Sequence, residues 1–123
     1  MIRIQRVYDP PEKANTVRFL VDRMWPRGIK KEGLSIDGWT RDAAPSSVLR
    51  KWFNHDPVKW KVFQKLYRAE LDSNPDGWKP ILIAAKKDDV TLLFSSRETE
   101  HNNAVVLKKY LEDNIRKSRR HGN

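Results

Sequence analysis

Residues 90–107 read VTLLFSSRETEHNNAVVL, and this stretch decides the fold. Val90 to Phe94 is an almost unbroken apolar run with polar residues on both sides, the pattern of a strand buried on both faces. Ala104, Leu107, Leu111 and Ile115 then recur at three- and four-residue steps, the buried stripe of a long helix whose basic end complements its dipole. A buried strand that feeds a helix through a polar loop brings its own C-terminal end and the helix's free amides to one place. Open α/β sheets bind ligands there, and helix N-termini favour anions. Ser95, Arg97, His101, Asn102 and Asn103 are therefore candidate anion contacts. No glycine-rich cradle accompanies them, so neither a Walker loop nor a dinucleotide fingerprint is present. The plainer reading is that Ser96 or Thr99 caps the helix and the asparagines fill an exposed first turn.

Upstream, the chain alternates between strand and helix signals. IRIQRVY at 2–8 and Val17 to Asp22 both follow the period of two expected of strands, the first closed by Asp9-Pro10-Pro11. Arg23 to Ala44 shows no helical period and reads as a long ordered loop with a short strand near Ser35 to Trp39; such loops are often functional. Ser46 is an expected N-cap for a short helix with Val48, Leu49, Trp52 and Phe53 on one apolar face. Asp56 with Pro57 starts the next helix, where Trp60, Phe63, Tyr67 and Leu71 face the core. Ser73 to Gly77 is read as the turn that ends it. Residues 80–87 fit a short helix or a strand, and the leading proline and paired alanines favour the helix. The expectation is a single compact α/β domain over 1–123, a small, mainly parallel sheet with helices packed on it, and a basic tail at 116–123 that includes His121.

FLVDRMWPRG at 19–28 supplies the second half of a candidate cleft. Asp22 ends an apolar strand, where burial without a partner would be costly, and Arg23 or Arg27 can serve as that partner. Trp25-Pro26 stiffens the following turn and Gly28 lets the backbone reverse, so the guanidiniums point in fixed directions. Fixed guanidinium forks read carboxylate or phosphate in a way lysines do not. Lys31, Asp37 and Trp39 continue the mixture of charge and aromatic ring. The structural alternative is an Asp–Arg pair holding the loop down, with Trp25 plugging the core. Trp25, Trp39 and Trp78 are placed in loops, where a ring can stack on a base.

The totals narrow the classes. The 123 residues contain no cysteine, which excludes disulfides, zinc–thiolate sites and a thiol nucleophile. Three scattered histidines offer no metal spacing, and no cofactor motif is found. His55-Asp56-Pro57 looks like a catalytic pair, but Asp56 is better placed as a cap. With no secretory signal and no apolar run long enough to span a bilayer, a cytoplasmic protein without a membrane partner is expected. Basic side chains number 25 against 16 acidic ones, a net charge of +9. Removing Arg116, Lys117, Arg119 and Arg120 still leaves 21 against 16, so the body is basic too. Such charge suits polyanionic partners, or solubility alone.

Three ordered motifs, VDRMWPRGIKKE (21–32), APSSVLRKWFNHDP (44–57) and TLLFSSRETEHNNAVVLKKYL (91–111), resemble the YeaO-like family, a domain of unknown function (DUF488). The resemblance covers nearly the whole chain and implies a small single-domain α/β protein, with no established activity. The family's polar positions match as Asp22, Arg23, Trp25, Arg27, Gly28, Lys31, Asp37, Trp39, Arg97, Asn102 and Asn103. More distant relatives carry Cys and His in the loop after the last strand; thiol chemistry does not transfer to a chain without cysteine.

Two functions fit these residues. One is an enzyme acting on a nucleotide or nucleic acid, with Arg23, Arg27 and Arg97 clamping the anion and Asp22 or Asp37 handling a proton. The other is a non-catalytic nucleic-acid-binding or regulatory module. Either takes a phosphate-bearing small molecule or a nucleic acid as partner. Both require that guanidiniums from two distant segments meet beside the last helix.

Overall fold

The computed structural model of the chain describes residues 1–11 and 15–120; His121, read from the sequence as part of the tail, lies outside them. Among the described residues four strands, β1 (Ile2–Arg6), β2 (Val17–Leu20), β3 (Gly38–Trp39) and β4 (Val90–Phe94), form one sheet in the order β1-β4-β2-β3. Every pairing is parallel, with Ile2 beside Val90, Val17 also beside Val90, and Phe19 beside Gly38. The α/β expectation therefore holds, and the sheet is parallel throughout. The apolar run at 90–94, β4, lies between β1 and β2, and all five of its residues are buried.

Its alternation explains why. Val90, Leu92 and Phe94 point into a core built with four helices: α1 (Ser47–Phe53), α2 (Trp60–Ser73), α3 (Pro75–Ala85) and α4 (Asn103–Arg120). Leu93 points to the other face, where Val7, Leu20 and Leu34 close a smaller core with Trp25, Ile29, Ile36 and Trp39. The long loop after β2 is thus the second layer of the domain. It carries a short 3-10 turn, Lys31–Gly33, and its Trp25 meets Trp39 of β3 edge to face at 5.4 Å; a second 3-10 turn, Arg41–Ala43, follows β3 and places Ala43 in the main core. Thr16 and Thr91 satisfy each other on the Leu93 face through a 2.8 Å hydroxyl pair.

The caps read from sequence are in place. Ser46 Oγ accepts from Leu49 N at 3.1 Å, and Asp56 Oδ1 accepts from Val58 N at 3.0 Å, leading through a 3-10 turn into α2. Three expectations need correction. Pro75-Asp76-Gly77 is the first turn of α3 rather than a terminating turn; residues 80–85 continue that helix, the reading favoured by the proline and paired alanines. Proline fits the first helical position and Asp76 the positive helix start, so the same letters suit both readings. Trp78 is buried in α3, its indole N–H donating to Leu71 O at 2.8 Å, and is not a loop ring. Val48 and Trp52 stay largely outside the core that takes Leu49 and Phe53. Basic residues 116–120 extend α4.

Candidate functional site

Asp22, just past β2, ties three segments together. Its Oδ2 accepts from Ser95 N at 2.9 Å and Ser95 Oγ at 2.6 Å, and its Oδ1 accepts from Asn103 Nδ2 at 3.1 Å. Asn103 Nδ2 also donates to Val21 O at 3.0 Å. A carboxylate offers about four acceptor positions, and three are filled here. Asn102 is buried and equally engaged: its Oδ1 caps α4 by accepting from Val105 N at 3.0 Å, and its Nδ2 donates to Glu98 O at 2.8 Å. The sequence offers Arg23 or Arg27 as the partner of Asp22; among the described residues neither pairs with it, and Arg23 reaches the other way. Its Nε donates to Pro45 O at 3.0 Å and its Nη2 to Ala44 O at 3.3 Å, which fixes the approach to α1. Beneath this, the Tyr67 hydroxyl donates to Ala43 O. Burial holds that phenol well above its usual pKa, and the nearby charges of Asp22 and Glu70 push the same way.

Above the braced residues opens a cavity of about 350 Å³. Asp22, Arg23, Trp25, Arg27, Ser95, His101, Asn102 and Asn103 all line it, so the 19–28 stretch and the loop after β4 converge. Phe53, Phe63, Met24 and Pro26 give it an apolar lining, and Arg50 and His55 come from α1 and its C-terminal turn. Among the described residues neither Arg27 nor Arg50 has a carboxylate within ion-pair distance. Gly28, at φ +80°, makes the reversal that follows Arg27, and Tyr8 Oη donates to Arg27 O at 2.8 Å to hold the loop. His101 packs edge to face on Trp60 at 4.9 Å, with Nδ1 3.6 Å from Glu98 Oε1.

Four of the residues named from sequence do not line the cavity. Arg97 is exposed in the loop after β4, and Lys31 is exposed in a 3-10 turn. Asp37 lies at the sheet edge, its Oδ2 accepting from Arg18 N at 2.8 Å. Trp39 braces the loop from below, with Nε1 donating to Asp22 O at 2.7 Å and Arg41 4.2 Å over its ring. Conversely, Arg50 and His55 were missed as cleft residues. Arg50 sits in a helix whose period gives no hint of a cavity. His55 follows Asn54 in a second consecutive left-handed conformation (φ 56° after φ 45°), which the letters His-Asp-Pro did not reveal. Glu98, Glu100 and His101 bring ligand-type atoms within 4.8 Å of one another, an arrangement common on exposed loops that bind no ion.

The family model described as the inactive DUF488-N3 subclade matches residues 1–123. The chain belongs to that family. It is 44% identical over 110 residues to the uncharacterized protein YeaO of Escherichia coli (strain K12), covering 89% of this chain and 96% of YeaO. Uncharacterized proteins of Mycobacterium tuberculosis (strain H37Rv) and Mycobacterium bovis are each 32% identical over 110 residues, covering 89% of this chain and 92% of theirs. No solved structure matches significantly. In this member of the DUF488-N3 subclade the loop after β4 carries hydroxyls, amides and an imidazole. No helix among the described residues is long and apolar enough to cross a membrane.

Proposed function

We propose that the cleft binds, without chemistry, a small anionic ligand with an apolar or aromatic body, a mononucleotide being the type that fits best. The observation that carries this reading is the division of labour in the cavity. Asp22, the one carboxylate lining it among the described residues, is occupied by three donors, whereas Arg27 and Arg50 have no acidic partner. A general base needs free lone pairs facing the substrate proton, and Asp22 has three of its about four acceptor positions taken within the fold. An anion site needs unpaired cations, with apolar surface to remove the rest of the ligand from water. The volume lies at the lower end of the range for small-molecule pockets, about 300–1,000 Å³. The family's description as inactive agrees with binding rather than turnover.

The basic residues at the far end of α4 do not extend this site. They begin thirteen residues along the helix from Asn103, about 20 Å from the site. Both Trp25 and Trp39 use their indole N–H groups within the fold, Trp25 Nε1 donating to Ile29 O at 2.6 Å. A concave pocket is supported over a continuous phosphate track with free stacking rings. Calorimetric titration with AMP, GMP and inorganic phosphate tests the reading. A nucleoside monophosphate should bind, and Arg27→Gln and Arg50→Gln should each weaken it at least tenfold, about 1.4 kcal/mol. Wild-type affinity in both variants, or no binding at millimolar nucleotide, refutes the site; hydrolysis of the ligand refutes the absence of chemistry.

A further inference from the structure

Helices α1 and α2 carry more apolar surface than the core uses. Leu49 and Phe53, and Phe63, Tyr67 and Leu71, are buried. A second apolar set recurs at helical spacing on the outside: Val48 and Trp52 on α1, and Val62, Leu66 and Ala69 on α2. Val48 is 80% exposed, Leu66 45% and Trp52 39%. Val48, Trp52, Leu66 and Ala69 line a groove of about 640 Å³ between the two helices, separate from the cleft, and Val62 extends the α2 stripe by one turn. Single exposed apolar side chains need no explanation, but a groove lined by them from two helices marks an interaction surface.

The charges around the groove select its occupant. Glu70, the acid that lines it, is engaged within the fold, Oε1 accepting from Ser46 N at 2.8 Å and Oε2 from Ser46 Oγ at 2.6 Å. Asp72 on the same helix accepts from Tyr110 Oη at 2.6 Å. The flanking cations stand free of carboxylates among the described residues. Lys51 lies one turn after Val48, Lys65 lies between Val62 and Ala69 at the same spacing, and Lys59 Nζ sits 5.0 Å over the Trp52 ring. A second copy of this chain would set these lysines against their own equivalents on a molecule of net charge +9. An acidic partner meets them with opposite sign.

We propose that this groove docks an acidic amphipathic helix of another protein, about three turns long. Val62 to Ser73 spans about 17 Å at 1.5 Å per residue, which sets that length. The partner places large apolar side chains at i, i+3 or i+4, and i+7 in the groove and carboxylates against Lys51, Lys59 and Lys65. The probe is a dye-labelled synthetic peptide of about fourteen residues, leucine at that spacing and glutamate elsewhere. Fluorescence anisotropy against the full chain should show micromolar binding. Leu66→Gln and Val48→Gln, which change no charge, should each weaken it at least tenfold, and Lys65→Gln several-fold with a shallower salt dependence. Circular dichroism checks that the variants fold, and Val48, the more exposed position, carries the test should Leu66→Gln unfold. Absence of binding, equal binding of a peptide with the same composition and scrambled leucine spacing, or unchanged affinity in both glutamine variants overturns the proposal. So does a dimer seen by light scattering that Leu66→Gln dissociates, since that result gives the groove to a second copy.

Discussion

The floor and the rim of the cleft use the same residue types in opposite ways. On the floor, Asp22, Ser95, Asn102 and Asn103 satisfy one another and the backbone, and join the end of β2, the loop after β4 and the start of α4. At the rim, Arg27 and Arg50 carry charge into the cavity with no carboxylate partner among the described residues. Polar groups that are mutually bonded in a partly buried place serve stability. Charges left unpaired at the mouth of a cavity cost little in water and remain available to a ligand. Polarity near a strand end is therefore a poor guide to chemistry until its partners are counted.

The contrast is testable from the floor outwards. Phe63 belongs to both the core and the cavity wall, so Phe63→Ala should remove about 3–5 kcal/mol of stability in urea unfolding. A loss near zero would mean that the wall is not packed as described. Asp22→Ala leaves the Ser95 amide and the Asn103 side chain short of an acceptor, and about 1–3 kcal/mol should be lost. If that variant keeps full stability, the floor is not a brace. Gly28→Ala probes the step between the two regions. No atom lies within 4 Å of the added Cβ, so the expected cost of about 1–2 kcal/mol is that of the left-handed backbone alone. At the rim, Arg27→Gln and Arg50→Gln should shift stability by no more than about 0.5 kcal/mol while weakening the ligand.

The smallest effect concerns the loop behind His101. The backbone N–H groups of Glu100 and then His101 hydrogen-bond the Glu98 carboxylate and hold its pKa below the ordinary 4.5. The carboxyl loses its proton more readily folded than unfolded. Its contribution is therefore complete above about pH 4.5 and fades as pH falls through the lower, folded value. An NMR titration should place the Glu98 midpoint below that of glutamate in a short peptide; a midpoint at or above it contradicts these contacts.

Much of this was legible in the residues, for identifiable reasons. The central strand, the long last helix and the caps at Ser46 and Asp56 were readable because each rests on local period or on a side chain bonding a backbone amide two or three residues on. The meeting of residues 19–28 with 95–103 was also readable, since both follow strands of a parallel sheet. What failed were questions of direction and of distant partners. Asp22 was matched with Arg23 or Arg27 because nearness along the chain is all a sequence offers; its side-chain partners lie more than seventy positions away. Arg97 and Asp37 looked equivalent to the cleft residues, yet one is exposed and absent from the cavity wall and the other accepts from Arg18 N of β2. Gly77 looked like a turn residue, but its role is contact: a Cβ there would meet Asp42 O at 2.5 Å.

The placement of β4 has a consequence for how the molecule is made. The strand that joins β1 to β2 is supplied by residues 90–94, so a chain leaving the ribosome carries two unjoined edges until those residues emerge about seventy positions after β2. Long-range parallel pairing is slow, and unpaired edges invite association. Moving β4 ahead of β1 by circular permutation would offer both edges their common neighbour from the outset.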